Sequence, residues 1–315
     1  MVVKGKDLFD AAVFRQEDTT AMFYTFIGEI ATLTAEAKPT PVHHFIRTLD
    51  DQGRLQRVYT QNIDSLEAQC GMNCDLPTAP IKTRAKAAKK EPTGRFHCPT
   101  PPPSQQPEAP TPTKKVDGLP KVVQLHGSLH QVKCLLCHEQ SPCTAEHITA
   151  FKKAEMMDCQ TCLTVSEARE AAGKRALGVG QIRPNIILYN EHHPQGDRIG
   201  ELCALDVKKK PDYMLIMGTS LKVVGIKRLI KDFAKTIKVQ RGAKIVLVNK
   251  TPLQNVSEWK DIIDYQIIAE GDAFTQFVET EWTRMQKIED GRRQKKLAKQ
   301  EKASKGRHII VLYCF

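Results

Sequence analysis

The sequence predicts an α/β protein: a doubly wound, largely parallel sheet with a small cysteine-bearing module set into it. Three observations carry this. Short apolar runs alternate with amphipathic stretches along most of the chain. The last three runs are nearly continuous in apolar character, as strands covered on both faces are. Two Cys-x-x-Cys pairs interrupt the alternation near its middle. With 315 residues, 41% hydrophobic and 26% charged, the chain can bury one large core or two smaller ones.

Five runs read as strands: Leu55–Tyr59, Pro184–Tyr189, Tyr213–Met217, Lys244–Val248 and Tyr265–Ile268. Helical spacing marks 19–36, 41–51, 64–70, 195–208, 223–238 and 272–286. In such sheets ligands bind beyond the carboxyl ends of the strands. Here those ends carry Thr60-Gln61-Asn62-Ile63-Asp64, Gly218-Thr219-Ser220, Asn249 and Gly271-Asp272. Each alone is ordinary helix capping, whereas four together on one sheet edge favour a ligand site that offers hydroxyls and amides to a nucleotide.

The net charge of +11 is concentrated. Residues 77–121 carry nine Lys/Arg against three acids, residues 287–307 repeat that ratio, and the remainder of the chain is near neutral. Basic appendages on a neutral body argue for targeting or electrostatic tethering more than for a nucleic-acid-binding fold. The stretch 77–118 holds most of its prolines in runs such as Pro101-Pro102-Pro103, lacks aliphatic periodicity, and reads as a disordered insert. Its segment 82–90 serves equally well as a nuclear-import signal or a solvated spacer. Residues 287–315 read as a basic tail, Arg292 to Arg307 as a charged helix or frayed end. No apolar run approaches the roughly 20 residues of a membrane span, and no signal-peptide core follows Met1. A soluble, intracellular chain with free or metal-bound thiols is expected.

Cys134-Leu135-Leu136-Cys137 and Cys159-Gln160-Thr161-Cys162 stand 21 residues apart. Two knuckles of this spacing complete a tetrahedral thiolate site, and four thiolates leave no open catalytic position. Structural Zn2+ is the reading preferred over redox or free thiols. The remaining cysteines show no such pairing and read as plain thiols. Leu125-His126-Gly127 places a histidine at a strand end, where it could act as a general base on an exposed turn, although spacing alone favours a packed or surface histidine.

Together these residues resemble the sirtuin family of NAD-dependent protein deacylases. Thr60 to Asp64 is similar to its TQNID motif, His126-Gly127 to its catalytic His-Gly, and the two cysteine pairs to its zinc module. Arg183 to Glu191 resembles its acyl-lysine-binding strand, and Gly218-Thr219-Ser220-Leu221 its ribose-binding turn. Residues 218–229 and the long insert look most like a fungal nuclear branch that deacetylates histones.

The resemblance implies a Rossmann-like core over 1–76, 119–132 and 176–286, helical near 18–45, with a zinc-ribbon module at 133–175. It implies an enzyme that moves the acyl group of a protein lysine, in a histone tail or core, to ADP-ribose and releases nicotinamide. His126 would be the base that deprotonates a ribose hydroxyl. Gln61, Asn62, Asp64, Gly218, Thr219, Ser220, Asn249 and Asp272 would contact NAD, Ile187 would pair with the substrate, and Cys134, Cys137, Cys159 and Cys162 would hold zinc. Chromatin association through the basic segments, nuclear localisation and a part in silencing follow from the same likeness.

Two departures accompany it. The family's Gly-Ala-Gly-Ile-Ser phosphate loop and Gly-Ile-Pro-Asp-Phe-Arg stretch have no counterpart before Lys6, so weakened NAD binding and a sheet without its first strand are expected. Asn190 stands where the family usually has glycine, and would either narrow the peptide groove or occupy a left-handed backbone position. The alternative reading is a catalytically inactive zinc-containing module that binds peptides or chromatin. A zinc-ribbon nucleic-acid binder is the weakest, because 129–165 is neither basic nor interleaved with aromatics.

Overall fold

The computed structural model describes residues 7–77, 79, 81 and 118–305, the last eight of these as backbone only. The body of the Pro/Lys-rich insert, with the candidate import signal at 82–90, lies outside the described residues, as does the chain beyond 305. Two 3-10 turns, Asp7–Phe9 and Ala11–Arg15, lead into α1 (Glu17–Glu36) and α2 (Pro41–Asp51). Then come β1 (Val58–Thr60), α3 (Leu66–Gln69), β2 (Val122–Gln124), β3 (Gly127–Cys134), β4 (Gln140–Pro142), α4 (Ala145–Lys152), α5 (Gln160–Ala171) and β5 (Ile182–Ile186). The chain continues through α6 (Gly196–Lys208), β6 (Tyr213–Met217), α7 (Val224–Ile237), β7 (Lys244–Asn249), α8 (Val256–Trp259), β8 (Tyr265–Ile268) and α9 (Gly271–Lys305). No described helix is long and apolar enough to cross a membrane.

The chain divides into two compact units, one of residues up to 37 and 56–209, the other of 38–55 and 210 onward. In the second unit β6, β7 and β8 form a parallel sheet with β7 in the middle. Ile245, Leu247 and Val248 are buried there, which explains their unbroken apolar run. The periodic stripe Ile226, Ile230, Phe233, Ala234 and Ile237 is the buried side of α7. Pro41 opens α2 behind Thr40, whose backbone N–H donates to His43 Nδ1 at 3.1 Å in a capping box.

In the first unit β1 pairs with β2 in parallel, while β3 lies between β4 and β5 in an antiparallel sheet. The α/β class with parallel sheets is as the sequence predicts, but the described strands divide their hydrogen bonds among three sheets. The four polar strand ends therefore fall in two hydrogen-bonded sheets and not one: Gln61 to Asp64 follow β1, whereas Gly218, Asn249 and Asp272 belong to the other unit. The run 184–189 also differs from expectation. Its strand covers 182–186, runs antiparallel to β3, and leaves the ladder at Ile186. Pro184, which has no N–H to give, sits beside the register shift between Ser128 and Val132, where one fewer donor is needed.

Phe23, Tyr24 and Ile27 of α1 pack with Phe151 of α4 and with Leu129, Val132, Ile182 and Ile186 of the antiparallel sheet. Gly28 permits the close approach of α1 and α4, since a Cβ there would lie 2.7 Å from the Lys152 backbone nitrogen. A buried ion pair ties α6 into the same unit. Asp206 of α6, fully buried, takes the Arg57 guanidinium through Nε and Nη2, the Tyr59 hydroxyl at 2.8 Å, and, at its backbone carbonyl, Gln56 Nε2 at 2.8 Å. This pins β1 and the residues that lead into it to α6.

Asp206→Ala should therefore lower stability by about 3–5 kcal/mol, because it strands a buried guanidinium and a phenol. Glu270→Ala, which breaks an exposed pair with Lys250, should leave the urea midpoint unmoved. Equal midpoints for the two variants would contradict this assignment.

Candidate active site and metal centre

The polar loop after β1 is laced along the turn that carries His126. Leu125 N–H donates to the Thr60 carbonyl and Leu129 N–H to the Ile63 carbonyl, both at 2.9 Å. Asn62 N–H donates to Thr60 Oγ1 at 3.1 Å, and His130 Nε2 meets the Asp64 carbonyl at 2.8 Å. Beneath them Ser65, in the left-handed region at φ +56, meets Ser128 Oγ at 2.7 Å and takes Gln124 Nε2 at 2.7 Å. Gln61, Asn62, Asp64 and His126 are thus brought together within one unit.

Burial holds the His126 imidazole below the usual histidine range, and the nearby Gln61 backbone partly offsets that. Gly127, at φ +77, explains the residue that follows. A Cβ there would stand 2.2 Å from the Asn185 carbonyl oxygen, so only glycine lets β3 start against β5. The His126 carbonyl then accepts Ile187 N–H at 2.9 Å.

Ile187 begins a segment tied down at each residue. Leu188 N–H donates to Glu191 Oε2 at 2.9 Å, and Tyr189 N–H to the Phe9 carbonyl at 2.7 Å. Glu191 in turn forms a bidentate pair with the buried Arg183, whose Nη2 also donates to the Ile186 carbonyl at 2.9 Å. Of the two outcomes foreseen for Asn190, the backbone takes the left-handed one, at φ +66, and the side chain donates to Asp10 Oδ2 at 2.7 Å.

The second unit holds the other candidates. Gly218, at φ +62, ends β6, and a Cβ built on it would meet nothing within 4 Å. Asn249 closes β7 and donates through Nδ2 to the Thr219 carbonyl at 3.3 Å. Gly218 to Ser220 and Asn249 therefore sit together at adjacent parallel strand ends, a donor set that suits sugar hydroxyls. Asp272 opens α9, and one of its oxygens accepts Val42 N–H at 3.2 Å, so it caps α2.

The Sγ atoms of Cys134, Cys137, Cys159 and Cys162 all lie within 4.8 Å of one another. Cys134–Cys162 measures 3.8 Å and Cys137–Cys159 3.7 Å. A tetrahedron of thiolates about 2.3 Å from zinc places its sulfurs about 3.8 Å apart, so the cluster fits Zn2+. Burial raises the Cys134 thiol, but backbone N–H groups of Cys137 and Leu136 outweigh it and bring the thiol to about 7. Gly180 is required beside the cluster, because a Cβ there would lie 2.5 Å from Cys134 Sγ. Cys74 and Cys143, by contrast, are pushed up by burial to about 12 and 11, as inert thiols are.

The sequence reading missed His130, Ser65, Ser128 and the Arg183–Glu191 pair. Ser128 and His130 stand two apart on β3, and that strand period was the available signal. The other residues meet only through the tertiary fold.

A family model described as "Sir2 family" matches residues 2–78 and 113–225. Among curated proteins, "NAD-dependent histone deacetylase HST3" of Candida albicans is 36% identical over 89% of this chain and 52% of its own length. Its Saccharomyces cerevisiae namesake is 36% identical over 89% and 56%, and "NAD-dependent histone deacetylase HST4" of that yeast is 32% identical over 84% and 64%. The chain thus spans about half the length of the relatives it matches first. The solved structures "Sir2-p53 peptide-NAD+" and "Structure of Sir2Tm bound to a propionylated peptide" share the fold at TM-score 0.57 and 21% identity, over 90% of this chain and 85% and 86% of theirs.

Removing the metal should unfold the region around Cys134 to Cys162. The protein as purified should carry about one zinc per chain, and a chelator should abolish its cooperative melting and expose four titratable thiols. An unchanged melting curve after full zinc removal would refute a structural site.

Proposed function

The chain belongs to the Sir2 family, the sirtuins, and from that premise we propose that it deacetylates protein lysines, histone lysines foremost, with NAD as co-substrate. The observation that carries this is where His126 stands: Leu125 and Leu129 on either side donate to the Thr60 and Ile63 carbonyls, and its own carbonyl accepts Ile187 N–H, so it adjoins both the Gln61–Asp64 loop and the segment after β5. Burial keeps that imidazole neutral near pH 7, the form a general base needs.

When bound, NAD supplies an electrophilic ribose carbon with nicotinamide as leaving group. Gln61, Asn62 and Asp64 would receive the nicotinamide end, in a loop whose backbone is already fixed by Leu125, Leu129 and His130. Gly218, Thr219, Ser220 and Asn249 would receive the adenosine side, with open space at the Gly218 Cβ position supporting close approach of a ligand to the backbone. We place Asp272 at the edge of that set, since the capping of α2 already uses one of its oxygens. Ile187 has its N–H committed to His126, which leaves its carbonyl to accept the acyl-lysine amide N–H. Its register is set by the Arg183–Glu191 pair.

Histone substrates, chromatin association and a nuclear site of action are the finer part of the proposal. They are supported by the relatives' names and by the concentration of basic residues in 77–121 and 287–307.

The test is nicotinamide release by the full-length protein from NAD and an acetylated histone peptide. His126→Ala should lower the rate at least about 100-fold with zinc content unchanged. Activity should rise with pH as His126 loses its proton, with its midpoint below the usual histidine value. A zinc-loaded protein that binds the peptide without consuming NAD would instead favour a peptide-binding module.

A further inference from the structure

Asn190 does not figure in the chemistry above, although it stands in the segment that follows Ile187. Leu188 to Glu191 form a turn in which Glu191 N–H donates to the Leu188 carbonyl at 3.1 Å. Asn190 is the third residue of that turn and the one of the four with positive φ, at +66. This is the backbone of a type II turn, whose third position suits glycine or asparagine. Of those two, asparagine is the one that brings a side chain able to bond elsewhere.

That side chain crosses to the start of the chain. Asn190 Nδ2 donates to Asp10 Oδ2 at 2.7 Å, while Asp10 Oδ1 accepts Ala12 N–H at 2.9 Å and so caps the 3-10 turn Ala11–Arg15. Both Asp10 oxygens are thus taken by N–H donors. The backbones run together at the same place: Tyr189 N–H donates to the Phe9 carbonyl at 2.7 Å, and the Tyr189 carbonyl accepts Ala11 N–H at 3.0 Å. Tyr189 and Asn190 are exposed, so burial does little to fix this outer half of the turn. A hydrogen bond to a carboxylate, stronger than one between neutral groups, can do so instead. The inner half is held separately, by Arg183 on Glu191 and by the His126 carbonyl on Ile187.

We propose that Asn190 and Asp10 are positioning residues for the acyl-lysine segment. Their hydrogen bond fixes the outer half of the 188–191 turn against Phe9–Ala11, so that the Ile187 carbonyl meets a peptide in a geometry set before the peptide arrives. This rests on the reading of Ile187 as the substrate contact, but its first test needs neither peptide nor NAD.

Asn190→Asp keeps the size of the side chain and sets two carboxylates against each other. In the full-length protein it should speed amide hydrogen exchange at Tyr189 and Ala11 at least about fivefold, with exchange at Leu129 unchanged. Adding Asp10→Asn restores one amide and one carboxylate in exchanged positions, and should return both rates to within about twofold of the wild type. An unmoved rate in the single variant, or no return in the pair, would overturn the tie whether or not the protein turns over NAD. In turnover, Asn190→Asp should raise KM for an acetylated peptide about tenfold, with kcat and KM for NAD changed less than about twofold, and the pair should recover it. A peptide KM that stays put while exchange responds, or a loss the pair does not recover, would overturn the positioning role. A wild-type protein that binds no peptide would overturn the Ile187 reading and that role with it, with the tie itself still decided by exchange.

Discussion

The approach of Gly127 to Asn185 is the contact on which the functional half of the molecule depends. No other residue type could start β3 there, since any Cβ would collide with a carbonyl oxygen that is itself part of β5. Because the strands meet at that point, the His126 carbonyl is in place for Ile187 N–H, so the proposed base and the proposed acyl-lysine segment share one hydrogen bond. From the same start β3 runs on to Cys134, one of the four thiols. One steric requirement thus registers His126, the segment after β5 and the cysteine cluster against each other.

Two buried ion pairs hold what that contact aligns. Arg57–Asp206 fastens the strand before the Gln61 loop, and Arg183–Glu191 fastens the segment after β5. Such pairs contribute little net stability, because each ion gives up its hydration to reach its partner. Their effect is on geometry: a bidentate guanidinium–carboxylate pair permits far fewer arrangements than an apolar contact. Both arginines also keep one nitrogen buried without a hydrogen bond, Nη1 in Arg57 and Nε in Arg183, a cost consistent with positions fixed by the surrounding chain.

Much of this was legible in the sequence because it is local. The run Tyr213–Met217 and the stripe from Ile226 to Ile237 carry their structure in their own periodicity, and β6 and α7 follow them closely. Asp272, at the head of a run of helix formers, likewise reads as a helix start. That helix passes without a break through Gly291 and the basic stretch to Lys305, because Lys, Arg, Gln, Ala and Leu sustain it at a cost of about 1 kcal/mol for one glycine. What was not legible depends on distance along the chain. The antiparallel pairing of 127–134 with 182–186 joins segments about fifty residues apart, and nothing in either segment names its partner. Residues 145–171 form α4 and α5 with weak apolar periodicity, because their order comes from packing Phe151 on Tyr24 and from the cysteines.

The distance between the metal cluster and the base then decides what the cluster can do. Gly127 to Cys134 spans eight residues of strand, about 23 Å at 3.3 Å per step, so no ion held by the thiols could polarise a bond at His126. Four thiolates would in any case leave it no open position. What the cluster can do is fix the far end of β3. Its near end bears His126, and between the two lies a register shift, where a strand is free to bend. Beyond the shift β3 is paired with β4 at 131–133 and with β5 at 132–134, and the cluster adds a tie from Cys134 to 159–162 at that end, so the turn that carries His126 leads into a strand held on both sides of the bend.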